Sequence, residues 1–216
     1  MPEAKTLFRD NVRLGTHEAQ QYQRLVGHLN YFAMVTRYDI AHSLSRLGRM
    51  SANPTKGAYR ALERVLKYLR ATETMCMEGE LVTTNQYECY SDSDHGGDRP
   101  VHTQSQTGTM ITLNGVPIQW TSRKQIQSTA ISSALAEIYA LSETVRTAQL
   151  TAWRLEELGV QMDYPLVIRV DNSQAISFQR NTCLTSKLRG IIDMRWAWVH
   201  ELRDKKKVRV SKISSD

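Results

Sequence analysis

The chain has 216 residues, 41% of them hydrophobic and 23% charged, with a formal net charge of +6 and a pI near 9.3. That length buries one good core with a smaller appendage, and the composition excludes a disordered or fibrous chain. No window approaches the roughly 20 apolar residues that span a bilayer, and the opening MPEAKTLFRD lacks the apolar run of a secretory signal. An intracellular protein of cytoplasm or nucleus, with no membrane partner, is therefore expected. Cys76, Cys89 and Cys183 are odd in number and lack CxxC spacing, which argues against a disulfide framework or a zinc site. The basic balance favours a polyanionic partner.

The first third reads as helices. Leu25, Leu29, Phe32 and Ala33 recur at helical spacing between Gln20 and Thr36, and Ile40, Leu44 and Leu47 do so between Asp39 and Met50. Asn53-Pro54 suggests a cap followed by Pro at the first helical position, and Ala58, Leu62, Val65, Leu66 and Leu69 carry that helix to about Arg70. A helical segment over residues 1–78 is expected.

From there the period changes. Short runs rich in Thr, Ile, Val and Tyr at 81–84, 87–91, 108–113 and 118–122 read as antiparallel strands, and Asn114-Gly115 is a hairpin signal. A long helix follows over 132–158 through Leu135, Ile138, Leu141, Val145, Ala148, Trp153 and Leu155, closed by Gly159. Residues 165–170 read as a strand, 172–180 as a helix start, 191–202 as a helix and 208–213 as a last strand. This order suggests an α/β domain with a mixed sheet over residues 79–216. The four tryptophans read as core residues.

Three carboxylates stand out by position. Asp92, inside ECYSDSDHGGD, ends the first full strand; Glu137 lies in the first turns of the long helix; Asp171 follows VIRV where a strand ends. Sites in α/β domains gather where strand ends meet helix starts. Acids converging there repel one another unless a cation neutralises them, and hard oxygen donors suit Mg²⁺ or Mn²⁺. Taken alone, the Ser/Asp/Gly cluster would also fit a solvated turn. Arg123 and Lys124, before the long helix, and Lys205, Lys206 and Lys207, near the C-terminal end, are the candidate phosphate-facing bases.

These motifs resemble a known family, the ribonuclease H domain that ends the Pol polyprotein of copia-type retrotransposons. The resemblance runs through YSDSDHGGD (90–98), QWTSRKQIQSTAISSALAEIYALSE (119–143), VDNSQAI (170–176) and SKLRGIIDMRWAWVHELRD (186–204). Residues 21–72 are similar to the segment joining reverse transcriptase to ribonuclease H in these polyproteins. The resemblance implies an RNase H-like mixed sheet flanked by helices, preceded by an N-terminal helical segment. It also implies Mg²⁺ or Mn²⁺ held by Asp92, Glu137 and Asp171, and hydrolysis of the RNA strand of an RNA–DNA hybrid. The order Asp, Glu, Asp along the chain matches ribonuclease H.

The chain departs from the family in places. TQSQTG (103–108) stands where relatives carry a basic, hydroxyl-rich run, and ALAEI keeps only the inner acid of the usual TEAEY. The chain stops at VSKISSD, short of a fourth acidic motif, so a C-terminally truncated domain is expected. No polymerase motif precedes residue 72, so DNA synthesis by this chain alone is not expected. The alternative is a catalytically impaired remnant of the fold, serving as a structural or nucleic-acid-binding module beside the rest of a reverse transcriptase or a larger assembly.

Overall fold

The structure is a computed structural model that describes residues 10–79, 85–94, 104–125, 133–171 and 194–213. The strand expected at 81–84 and the helix start at 172–180 lie outside these residues. The chain divides into two compact units, Met1–Met77 and Glu78–Asp216.

The first unit is built from α1 (Thr16–Val35), a 3₁₀ turn (Tyr38–Ile40), α2 (Ala41–Arg49) and α3 (Lys56–Ala71). Its core is Tyr22, Val26, Leu29, Ala33, Ile40, Leu44, Leu47, Ala58, Ala61, Leu62 and Val65. On α1 the buried line is therefore 22-26-29-33, and Phe32, expected in the core, is 54% exposed. One residue along a helix turns the side chain by about 100°, so burying Ala33 carries Phe32 off the core side. The Asn53 cap is also corrected. Pro54 O accepts from Leu14 N (3.0 Å) and Lys56 N donates to Val12 O (2.9 Å), which draws residues 54–56 into an extended pairing. Thr55 then caps α3, its Oγ1 accepting from Ala58 N at 3.2 Å.

Arg37 ties this unit together between its helices. Its Nε and Nη2 donate to the two carboxylate oxygens of Asp39 at 3.0 and 2.8 Å, while Nη1 and Nη2 donate to Thr72 O and Oγ1 at 3.2 and 2.7 Å. The Arg37 guanidinium also lies over the Tyr68 ring, 5.6 Å from its centroid. These hydrogen bonds hold the Asp39 carboxyl below the usual carboxylate range.

In the second unit the described strands form one mixed sheet, ordered β3-β2-β1-β4-β5. They are β1 (Tyr87–Asp94), β2 (Gln106–Leu113), β3 (Val116–Lys124), β4 (Leu166–Val170) and β5 (Val208–Lys212). β1, β2 and β3 are antiparallel neighbours; β4 runs parallel to both β1 and β5. Asn114 (φ 53°) and Gly115 (φ 78°) make the hairpin, the positive φ pair of the two-residue turn that matches strand twist. Asn114 Oδ1 accepts from Gln86 N at 2.8 Å, extending the turn to the start of β1.

Two further helices, α4 (Ser133–Glu157) and α5 (Met194–Asp204), pack on this sheet. The core joins Tyr87, Cys89 and Ile111 of the sheet to Leu141, Val145, Ala148 and Ala152 of α4 and Val199 of α5. Ala152, rather than Trp153, continues the α4 line, and Trp153 is 57% exposed, contrary to the core reading. One residue along a helix turns the side chain by about 100°, so burying Ala152 carries Trp153 off the core side. Trp198 packs against the core as expected. Gly159 (φ 85°) closes α4: Val160 N donates to Leu155 O and Gly159 N to Glu156 O, both at 2.9 Å.

Two outcomes follow for stability and reactivity. Asp39 gains its stabilising partner as a carboxylate, so that contribution is present above its unfolded pKa of about 4 and is lost as pH falls through the lower folded value. Asp39→Asn is expected to cost about 1–3 kcal/mol at neutral pH and to flatten the acid dependence of urea unfolding; an unchanged acid limb would show that the pair contributes nothing. Burial pushes the Cys89 thiol up to about 12, whereas Cys76 is exposed. Native alkylation followed by peptide mass spectrometry should label Cys76 and spare Cys89 until denaturant is added.

Candidate active site

The three carboxylates reach one point by three separate routes. β1 and β4 are adjacent and parallel, with Ser91 paired to Val170, so Asp92 and Asp171 are the next residues along both strands. Glu137 arrives from the second turn of α4. One carboxylate oxygen from each of Asp92, Glu137 and Asp171 lies within 4.8 Å of the others; Glu137 is 7% exposed, and the two aspartates are exposed.

The fold holds each member in register. Arg169 Nε donates to Glu88 Oε1 at 2.7 Å, and Tyr90 OH to Glu88 Oε2 at 2.9 Å, locking β1 to β4 just before the two aspartates. α4 is pinned along its length by polar contacts. Gln125 Nε2 donates to Thr107 Oγ1 and to Ala136 O, both at 3.0 Å, gripping the residue beside Glu137. Thr109 and Thr144 share a hydroxyl hydrogen bond of 2.9 Å, Tyr87 OH donates to Ala148 O at 2.8 Å, and Thr151 Oγ1 donates to Gln119 Oε1. Sequence reasoning missed this set. Its available signal was Thr144 and Thr151, two hydroxyls seven residues apart on the helix line that also carries Glu137.

At this separation two ionised carboxylates repel by about 1 kcal/mol even in water, and by more where one is buried. Three hard oxygen donors converging from rigid elements match what Mg²⁺ or Mn²⁺ requires, so the residues present fit such an ion.

The expected bases divide between the two ends of the sheet. Arg123 and Lys124 pair with Thr107 and Gln106, which pair with Ser93 and Asp94, so they stand at the acidic end. Lys205, Lys206 and Lys207 precede β5, whose first residue, Val208, pairs with Leu166 at the opposite end. They are also locally engaged: Lys205 Nζ bonds Glu201 Oε1 at 2.6 Å, and Lys207 Nζ lies 4.7 Å from the Tyr164 ring centroid. Residues 95–103, which follow β1, lie outside the described residues.

No family model matches the chain. Among known proteins, the retrovirus-related Pol polyprotein from transposon TNT 1-94 of Nicotiana tabacum is 33% identical over 198 residues, covering 90% of this chain and 14% of that protein. The Pol polyprotein from transposon RE2 of Arabidopsis thaliana is 33% identical over 171 residues, covering 79% of this chain and 12% of that protein. The chain belongs to the copia-type retrotransposon Pol family. It spans about one seventh of the length of the tobacco relative. A secreted RxLR effector protein 161 of Plasmopara viticola is 36% identical over 127 residues, covering 59% of this chain and 88% of that protein. A foamy viral protease-reverse transcriptase superposes with a TM-score of 0.55 at 12% identity, covering 91% of this chain and 32% of that one. The five-stranded mixed sheet of this Pol segment and its flanking helices form an RNase H-like fold. Among the described residues, no helix is long and apolar enough to cross a membrane.

Because Asp92 is held near two like charges, Asp92→Asn is expected to raise stability in EDTA by about 1 kcal/mol, a rise of roughly 2–4 °C in Tm. Mn²⁺ should raise the Tm of the unaltered chain and leave that of Asp92→Asn nearly unchanged. Equal responses of both proteins to Mn²⁺ in thermal unfolding would disconnect the acids from the metal.

Proposed function

We propose that this Pol segment is a divalent-metal-dependent ribonuclease H that hydrolyses the RNA strand of RNA–DNA hybrids, acting within a larger reverse transcriptase polyprotein. The observation that carries this reading is the convergence of Asp92, Glu137 and Asp171 within 4.8 Å, in a chain homologous to Pol polyproteins. A foamy viral protease-reverse transcriptase has been solved in complex with RNA/DNA hybrid and resembles this chain with a TM-score of 0.50, which supports a duplex partner.

The roles of the residues follow from their burial. Asp92, two residues before the end of β1, and Asp171, just past β4, face solvent, where a scissile phosphate has access. Glu137 is buried on α4 and keeps a fixed position as substrate enters and leaves. Asp92, Glu137 and Asp171 would hold Mg²⁺ or Mn²⁺, which would supply activation of water and neutralisation of the charge building on the phosphate and leaving oxygen. Arg123 and Lys124, at the same end of the sheet, are suited to contact the flanking sugar–phosphate backbone. Lys205, Lys206 and Lys207 would meet a duplex more than about 16 Å along the strands from the acids, because five strand steps separate Leu166, the partner of Val208, from Asp171. Discrimination against DNA requires contacts to 2′-hydroxyls across the shallow minor groove.

The test is cleavage of an end-labelled RNA–DNA hybrid with Mg²⁺ or Mn²⁺. The unaltered chain should cut only the RNA strand, and Asp92→Asn or Glu137→Gln should lose several kcal/mol of transition-state stabilisation, on the order of 10³-fold in rate. Bound hybrid with no cutting by the unaltered chain would replace this reading with a non-catalytic binding module.

A further inference from the structure

The helical unit carries a charged surface that the acidic site does not use. Helix α3, KGAYRALERVLKYLRA, holds five bases, Lys56, Arg60, Arg64, Lys67 and Arg70, against one acid, Glu63. Its buried residues are Gly57, Ala58, Ala61, Leu62 and Val65. At 100° per residue the five bases fall on one arc of about 120°, directly opposite that buried line. All five are exposed. Arg60 is paired with Asp10, but Lys56, Arg64, Lys67 and Arg70 form no ion pair among the described residues.

We infer that the solvent face of α3 is a second nucleic-acid contact, a rail of bases that takes the sugar–phosphate backbone of a duplex. Four successive pairs, Lys56–Arg60, Arg60–Arg64, Arg64–Lys67 and Lys67–Arg70, sit three or four residues apart, where like charges disfavour the helix. A helix face that needed only to be solvated would intersperse acids with bases; this one has Glu63 alone. Neutralisation by a polyanion removes the repulsion. The rail is about 21 Å long from Lys56 to Arg70, the length over which one strand of a duplex presents about six phosphates. A membrane surface fits less well, because a helix lying on lipid needs its apolar face free, and that of α3 is buried in its own unit. The inference rests on the proposed duplex partner, though not on cleavage.

The experiment is fluorescence anisotropy of the full chain with a fluorescein-labelled RNA–DNA hybrid across a KCl series, in EDTA so that no cutting occurs. Arg64→Gln/Lys67→Gln/Arg70→Gln removes three bases whose side chains leave the core untouched. It should bind roughly tenfold weaker or worse and show a log–log salt slope shallower by about 2 to 3. The charge-keeping variant Arg64→Lys/Lys67→Arg/Arg70→Lys should retain both affinity and slope. Unchanged affinity and slope in the glutamine variant would overturn the inference, as would equal loss in the charge-keeping one. Stripe-dependent binding to phosphatidylserine vesicles, with hybrid binding unaffected, would overturn it in favour of a lipid surface. If the chain fails to cleave hybrid yet its salt slope still depends on these bases, the nuclease reading fails and this one stands.

Discussion

The seat of α4 on the sheet is the constraint on which the candidate site depends. Glu137 is buried on a helix, while Asp92 lies two residues before the end of β1 and Asp171 just past β4, so their meeting requires one axial position of that helix. A slip of one turn would move Glu137 by about 5.4 Å, further than the whole separation of the three carboxylates. Apolar packing is poorly suited to prevent such a slip, because Leu141, Val145, Ala148 and Ala152 repeat along the helix and offer similar surfaces a turn apart. Hydrogen bonds are directional and have no equivalent partner after a slip. Those of Gln125, Thr144, Thr151 and the Ala148 carbonyl supply the register that packing leaves loose.

The sheet makes the complementary contribution. Asp92 and Asp171 are 79 positions apart in the chain, yet the parallel pairing of Ser91 with Val170 sets them side by side. β1 lies between an antiparallel neighbour and a parallel one, so chain direction changes across it, and sites in open α/β sheets gather where such ordering switches. The Glu88–Arg169 pair and Tyr90 support that junction from within the two strands. Like charges at the site are thus held by rigid elements on every side, and the repulsion among them is the chemical property that favours a divalent ion.

The helical unit solves a different problem. Its three described helices enclose a core led by Tyr22, Leu44, Leu47 and Leu62, and the polar cluster around Arg37 joins the turn before α2 to the end of α3. With one face of α3 occupied by that core, the opposite face is exposed and carries the helix's five bases. Among the described residues, bases gather on α3, at the acidic end of the sheet and at its far end. Within the sheet unit, Arg123 and Lys124 share the end of the sheet that carries the carboxylates.

Local chemistry made much of this protein legible from its residues. Asn114-Gly115 demands positive φ and forms the hairpin; Gly159 does the same for the end of α4; and the order of Asp92, Glu137 and Asp171, carried in motifs that resemble the copia-type family, singled out the residues that converge. These features depend on a few adjacent residues, and their physical requirements are met within a turn or a strand. Tertiary structure decided the rest. Whether Phe32 or Ala33, and Trp153 or Ala152, turned inward depended on the rotation of each helix about its axis against its neighbours, which adjacent apolar residues leave open. Thr55 displaced Asn53 as the cap because residues 12–14 paired with the chain beside it. Lys205 to Lys207 fell at the far end of the sheet because β5 runs parallel to β4, and strand direction is a property of the pairing rather than of the strand's own sequence.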